Sequence, residues 1–331
     1  MLIEYKVTKM FKEYLLNNNL DGIKSIPKSD LHNHASNGGN PKFIERLTGL
    51  KFEAPPKLFN SIMEMEEWAH NVIKKHCNKT QRWEAAFAQA FEDNISVLAM
   101  SFARDEIDCN GKFQSIGDFI EFIKIIKNKY IPEAIFLPEL AFHMEMNIEF
   151  EKSIIDEILS YNYFKSVDIW AISHSADEYL KFKPLFIKAK ERGLRLKAHI
   201  GEFNNADDVM RVTEELELNE VHHGINVVTS LQIMKWLANN KIQLNICPTS
   251  NLLLGRVNSY KQHPIRILYD YGIPVTINTD DMLICNQSIS QEYQNLHKCG
   301  LMTVDELDKI RMIGLSQLNY YIDNQSFMEI K

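Results

Sequence analysis

The chain has 331 residues, 45% of them apolar and 24% charged, which excludes disorder, collagen and coiled coil as its main description. Lys and Arg number 37 against 44 Asp and Glu, a net charge of −7 that excludes the broad cationic surface a nucleic-acid polymer or an anionic membrane would need. The thiols are Cys77, Cys109, Cys247, Cys285 and Cys299, an odd set without C-x-x-C spacing, which points to reduced cysteines and a cytoplasmic location. Met1 to Leu16 has no apolar signal region, and no run approaches ~18 apolar residues.

Residues 3–20 carry helical spacing, with Val7, Met10, Phe11, Tyr14 and Leu15 on one side, and Ile26-Pro27 ends this leader. Strands are predicted at 29–34, 95–102, 134–140, 167–173, 194–199, 219–223, 242–247 and 274–278. Helices fall between the later ones at 184–192, 207–216, 229–239 and 262–271. Eightfold alternation predicts an α/β fold of the (β/α)8 TIM-barrel type, with a doubly wound open sheet as the alternative. The connection from about 36 to 93 holds Pro55-Pro56 and a helical run from Phe59 to Lys75, and reads as a helical cap inserted between the first and second strands. One domain is therefore expected: leader 1–26, cap about 36–93, barrel 27–35 and 94–303, and a helical tail 304–331. The stripes Met65, Trp68, Val72 and Trp83, Phe87, Phe91 read as cap packing.

Polar residues able to bind metal sit at the C-terminal ends of several predicted strands, where barrel active sites are built. On a strand, His32 and His34 would point to one face. His199 closes the fifth strand, and Gly201 lets the chain turn so that Glu202 folds back beside it. His222 and His223 end the sixth strand, and alternation allows only one of them into the barrel mouth. Asp280 and Asp281 follow the eighth. His32, His34, His199 and Asp280 together make an N/O donor set for Zn²⁺ or a similar divalent ion. Lys197 shares the inward face of His199, so either an acidic partner reaches it from a neighbouring strand or the register differs. His70, His76, His143, His263 and His297 show no partner pattern, and Cys247 and Cys285 read as buried thiols.

With these motifs in order, the chain resembles the adenosine deaminase family of the metal-dependent amidohydrolase superfamily. The likeness rests on Leu31-His32-Asn33-His34, His199-Ile200-Gly201-Glu202, His223-Gly224, Cys247-Pro248-Thr249-Ser250-Asn251 and Asn278-Thr279-Asp280-Asp281. The resemblance implies one Zn²⁺ on His32, His34, His199 and Asp280, with a water made acidic enough to be hydroxide at neutral pH. It implies that His223 and Asp280 orient that hydroxide, that Glu202 protonates the ring nitrogen beside the attacked carbon, and that Asp281 bonds a second ring nitrogen. Ammonia would leave and an aminopurine would become an oxopurine. His34, Ser36, Ala176 and His174 would complete the substrate side, with Ser250 and Asn251 supporting the site.

The departures concern substrate. The family has an acidic residue that holds the sugar two positions after its second histidine, where this chain has Ser36. A serine is a poor replacement for a carboxylate that accepts two hydroxyl bonds. Near strand four, Ser173-His174-Ser175-Ala176 stands where the family carries D-x-x-G, Met282 replaces a usual Pro, and Met100 to Arg104 lacks the Glu of an E-x-R pattern. The partner is a small aminopurine: adenosine, adenine, an N6-substituted adenine nucleotide or another aminated heterocycle. Two-metal hydrolases of the superfamily need a lysine at the end of strand four, and VDIWAIS has none. Cytidine-type deaminases need P-C-x-x-C, which is absent. A barrel that binds a nucleoside without turnover has no need of Glu202, His223 and Asp281 beside a metal.

Overall fold

The computed structural model describes residues 2–107, 111–171 and 175–328. Eight strands appear in chain order: β1 Lys28–Asp30, β2 Ile95–Ala103, β3 Ile135–His143, β4 Ser166–Trp170, β5 Arg195–Ile200, β6 Glu220–His223, β7 Gln243–Ile246 and β8 Val275–Ile277. Each pairs in parallel with the next. Strands such as β2 (ISVLAMSFA) are apolar on both faces because the core lies inside and helices lie outside. The result is a (β/α)8 barrel, and the open-sheet alternative falls.

The ring closes just beyond β1 and β8. Asp280 N donates to His32 O at 2.9 Å, His34 N donates to Asp280 O at 3.3 Å, and Leu31 N donates to Asn278 Oδ1 at 2.8 Å. This corrects the expected strand at 29–34. β1 stops at Asp30, and His32 and His34 lie on the irregular segment after it, where Asn33 bridges Asp280 and His34 bridges Ser101. The two histidines thus owe their direction to the seam of the barrel and not to a regular pleat.

Barrel interiors are usually filled by branched apolar residues. Here the interior under the mouth is charged. Lys197 Nζ lies 2.8 Å from Glu139 Oε2 and 3.5 Å from Glu220 Oε2, and Arg195 Nε lies 2.6 Å from Glu220 Oε1. The acidic partner that the inward Lys197 required comes from neighbouring β6 and also from β3. Burial raises Glu139, whereas at Glu220 burial is outweighed by Lys197 and Arg195, which bring it down to about 2.

The N-terminal helix Leu2–Leu16 buries Phe11 and Leu15. Helix Val304–Met328 crosses β1 and β8 closely, and a Cβ on Gly314 would sit 1.9 Å from Ser29 Oγ, so any larger residue there forces the Ser29 hydroxyl to move. Three helices lie between β1 and β2: Pro41–Thr48, Ile62–Val72 and Lys79–Glu92. Helix Lys79–Glu92 packs Trp83 against Phe102 and Phe87 against Phe136, so it forms part of the outer ring, while Phe91 at its end is 66% exposed and leaves the expected stripe. Helix Ile62–Val72 packs Met65 and Ala69 with Leu253, Leu254 and Ile284, which sets it beside the C-terminal ends of β7 and β8. No described helix is long and apolar enough to cross a membrane.

Candidate active site

Four donor atoms converge where the barrel closes. His32 Nε2 lies 2.8 Å from His199 Nε2, and His34 Nε2 lies 3.1 Å from it. Asp280 Oδ1 lies 3.2 Å from His32 Nε2 and 3.1 Å from His34 Nε2. Donors about 2.1 Å from a tetrahedral zinc sit roughly 3.4 Å apart, so these spacings fit one divalent cation. Burial holds His32 down to about 3 and His199 well below its usual value, leaving both as neutral imidazoles, the ligating form. Burial also opposes a charge on His34, but Asp280, Asp281 and Asp168 outweigh it and raise His34 to about 10, a field that favours a cation.

The far nitrogens of these rings are held from below. His199 Nδ1 lies 2.9 Å from Asp168 Oδ2, and His32 Nδ1 lies 3.4 Å from Asn245 O. Such outer contacts fix the tautomer and leave Nε2 free to ligate. Asp168 was not singled out in the sequence. Its signal was a charged residue in an inward place of β4, where Ser166, Asp168 and Trp170 alternate with Val167 and Ile169.

Strand alternation fails at β6 for a local reason. His223 has φ +61°, which swings its side chain off the pleat. His222 follows the pleat into the barrel beneath the site, its ring centroid 4.0 Å from that of His32 at a tilt of 34° and its Nε2 3.4 Å from Glu139 Oε1, while His223 still reaches the mouth. His223 Nε2 lies 3.7 Å from Asp280 Oδ2, and His223 Nδ1 lies 3.7 Å from Glu202 Oε1. Asp280 also has a positive φ, +59°. Left-handed backbone at two non-glycine residues marks strain at a site rather than at a loop tip.

Gly201, at φ +84°, makes the turn after β5, and Glu202 folds back next to His223. Asn251 Nδ2 donates to Glu202 Oε1 at 2.7 Å, and His263 Nε2 lies 3.3 Å from Asn251 Oδ1. His263, without a partner pattern in the sequence, thus backs Asn251. Burial raises the Glu202 carboxyl, against the opposing pull of His223. Asp281 is raised to about 7 by burial and then by neighbouring Asp280, and its Oδ1 is buried with no partner among the described residues.

These groups border a cavity of about 390 Å³. His34, His199, Glu202, His223, Asp280 and Asp281 line it together with Met65, Trp170, Phe203 and Leu254. Ser36 lines it as well, but its hydroxyl is committed to Glu106 at 2.6 Å. Ala176 opens helix Ala176–Leu180, is buried in the apolar core and is not among the lining residues; Trp170, which ends β4, and Ala171 after it border the cavity instead. His174 lies outside the described residues. Cys247 and Cys285 are buried thiols pushed far up by burial.

The adenosine deaminase family model matches residues 146–319, more than half of the chain. The protein belongs to the adenosine deaminase family. A Treponema pallidum protein provisionally named an adenosine/adenine deaminase is 26% identical over 288 residues, covering 86% of this chain and 95% of its own. The crystal structure of an adenine deaminase from Arthrobacter aurescens superposes with TM-score 0.72 at 18% identity, over 87% of this chain and 92% of that one. An N6-methyl-AMP deaminase from Arabidopsis thaliana does so with TM-score 0.70 at 17% identity, over 92% and 98%. Membership makes this chain a hydrolytic aminohydrolase of a metal-dependent family. Its relatives differ in what the purine carries, so the walls of the cavity hold the remaining question.

Proposed function

We propose that this protein hydrolytically deaminates an aminopurine, releasing ammonia, with one Zn²⁺ held by His32, His34, His199 and Asp280. The observation that carries the reading is the placement of Glu202 and His223 directly beside that donor set, at the border of one cavity. When bound, the cation supplies the Lewis acidity that lowers the pKa of a water toward neutrality.

The chain's own residues account for the protons. His223, 3.7 Å from both Asp280 and Glu202, accepts the proton that the attacking water gives up and hands it to the amino group, which leaves as ammonia when the C–N bond breaks and the new C–O bond becomes the oxo group. Glu202, whose carboxyl burial keeps protonated to higher pH, donates to the ring nitrogen next to the amino-bearing carbon. That stops negative charge accumulating on the ring as the tetrahedral carbon forms. Asp281, with one oxygen unbonded and a raised pKa, shares a proton with a second ring nitrogen and fixes the orientation of the base. Helix Ile62–Val72, anchored through Met65, acts as a cap that limits water in the cavity. Cytoplasmic location fits the unpaired thiols.

The test is ammonia release by zinc-loaded protein from aminopurine bases, nucleosides and nucleotides, with Glu202→Gln as control. Release from at least one compound, reduced ~10²-fold or more in the control with metal content unchanged, supports the reading. A control as fast as the parent would remove Glu202 from the proton-donor role, and no release from any compound would overturn the deaminase reading.

A further inference from the structure

We infer that Glu292 is a positioning residue for the proton transfer: it caps the short helix Pro248–Leu253 and so sets where Asn251 holds Glu202 against His223. This rests on the deaminase reading above and adds to its machinery a residue that does not border the cavity.

Helix Pro248–Leu253 lacks a start signal of its own. Its N-cap residue, Cys247, makes no side-chain cap bond, and Pro248 at the first position has no N–H. The first free donor is therefore the backbone N–H of buried Thr249. Glu292 Oε1 accepts from it at 3.1 Å, across 43 residues of chain. A helix of six residues makes too few bonds to hold its own direction, so an acceptor from outside decides how it sits.

The grip is double. Glu292 and Asn295 lie three residues apart on one face of helix Ile289–Lys298. Asn295 Nδ2 donates to Tyr260 Oη at 3.0 Å, and Tyr260 Oη lies 2.6 Å from Thr249 Oγ1. Thr249 is thus held at its backbone and at its side chain. The helix that holds it is itself fixed: Ser288 and Gln291 form a capping box, and Asp93 Oδ2 accepts from Ser290 N at 3.0 Å. Two residues beyond Thr249, fully buried Asn251 reaches Glu202. Its carbonyl accepts from Arg256 N at 2.8 Å and Val257 N at 3.2 Å, so the turn after the helix follows Asn251 as well.

Glu292 is fully buried, and its Oε2 has no partner among the described residues. Burial pushes its carboxyl up to about 8, against the pull of the Thr249 bonds. At neutral pH it is mostly the uncharged acid, and glutamine reproduces its accepting oxygen. An apolar side chain of similar size spares the desolvation of Oε2 but leaves Thr249 N without an acceptor. The two replacements therefore separate bulk from hydrogen bonding.

The experiment measures kcat and KM on adenine, adenosine and AMP for zinc-loaded parent, Glu292→Gln, Glu292→Leu and Tyr260→Phe, each with and without Asn251→Ala. Hydrogen exchange over residues 247–257 is followed in the same proteins. Glu292→Leu is expected to lower kcat about 5- to 10-fold, the worth of one hydrogen bond, with KM and zinc content at parental values. Tyr260→Phe should lower kcat less, and it keeps the test open if the leucine variant does not fold. Glu292→Gln should keep the parental kcat. With Asn251→Ala present, the further losses from Glu292→Leu and Tyr260→Phe should nearly vanish, since residues that act through Asn251 have nothing left to position. The Arg256 and Val257 amides should exchange faster in Glu292→Leu and at the parental rate in Glu292→Gln. Parental kcat in Glu292→Leu, or a loss that persists in full beside Asn251→Ala, overturns the inference and leaves the deaminase reading standing. No ammonia from the parent with any compound overturns the deaminase reading, whereas unchanged exchange in Glu292→Leu overturns the capping of the helix whatever the activity.

Discussion

Asn251 and Glu202 stand 49 residues apart in the chain, yet Asn251 Nδ2 donates to Glu202 Oε1 at 2.7 Å. The same amide nitrogen lies 3.2 Å from His223 Nδ1, so one side chain spaces the two proton-carrying groups.

Asn251→Ala removes a bond that lowers the Glu202 pKa, so that pKa rises further. Glu202 must be protonated to donate, and a higher pKa keeps it protonated to higher pH. The basic limb of kcat/KM should move to higher pH, and the plateau should fall roughly 10-fold as the carboxyl loses its orientation. Zinc content should stay at the parental level. A pH–rate profile with metal analysis checks this, and an unmoved basic limb would count against Glu202 as the donor.

Asp168→Asn replaces the carboxylate 2.9 Å from His199 Nδ1 with a neutral amide. The imidazole loses basicity and its fixed tautomer, so zinc affinity should drop about 10- to 100-fold. Competition with a chelator reads this directly. The apo-protein's thermal stability should change far less than its stability in zinc; equal changes would mean Asp168 serves the barrel core and not the ligand.

Lys197→Met leaves Glu139 and Glu220 without their shared cation inside the barrel. Breaking a buried ion pair from one side costs about 3–5 kcal/mol, because the remaining charges stay desolvated. Urea unfolding should show that loss with little change in the slope. The double variant Lys197→Met, Glu139→Gln should recover part of it, since it removes the stranded carboxylate while Arg195 still neutralises Glu220.

Gly201→Ala places a Cβ 2.5 Å from Val209 Cγ2 and 2.9 Å from the Gly224 backbone, at φ +84°. The turn must shift, and Glu202 shifts with it. Turnover should fall more than zinc affinity, since His199 lies before the turn on β5. Parental kcat in this variant would show that Glu202 does not need the tight turn.

The sequence by itself determined the eightfold alternation, the donor types at the strand ends and the family, because helix and strand periods are local and each motif is contiguous. His32 and His34, Gly201 and Glu202, and Asp280 and Asp281 were legible for that reason. Only the tertiary structure decided what depends on closing the ring. It moved His32 and His34 off β1 and onto the seam with Asp280. It turned His223 to a positive φ, so that two adjacent histidines both face inward and the alternation rule gives way. It brought Asp168 to His199, Glu139 and Glu220 to Lys197, and Glu106 to Ser36. Partners of that kind come from different strands and loops, and their pairing follows from register and barrel closure, which no local pattern records.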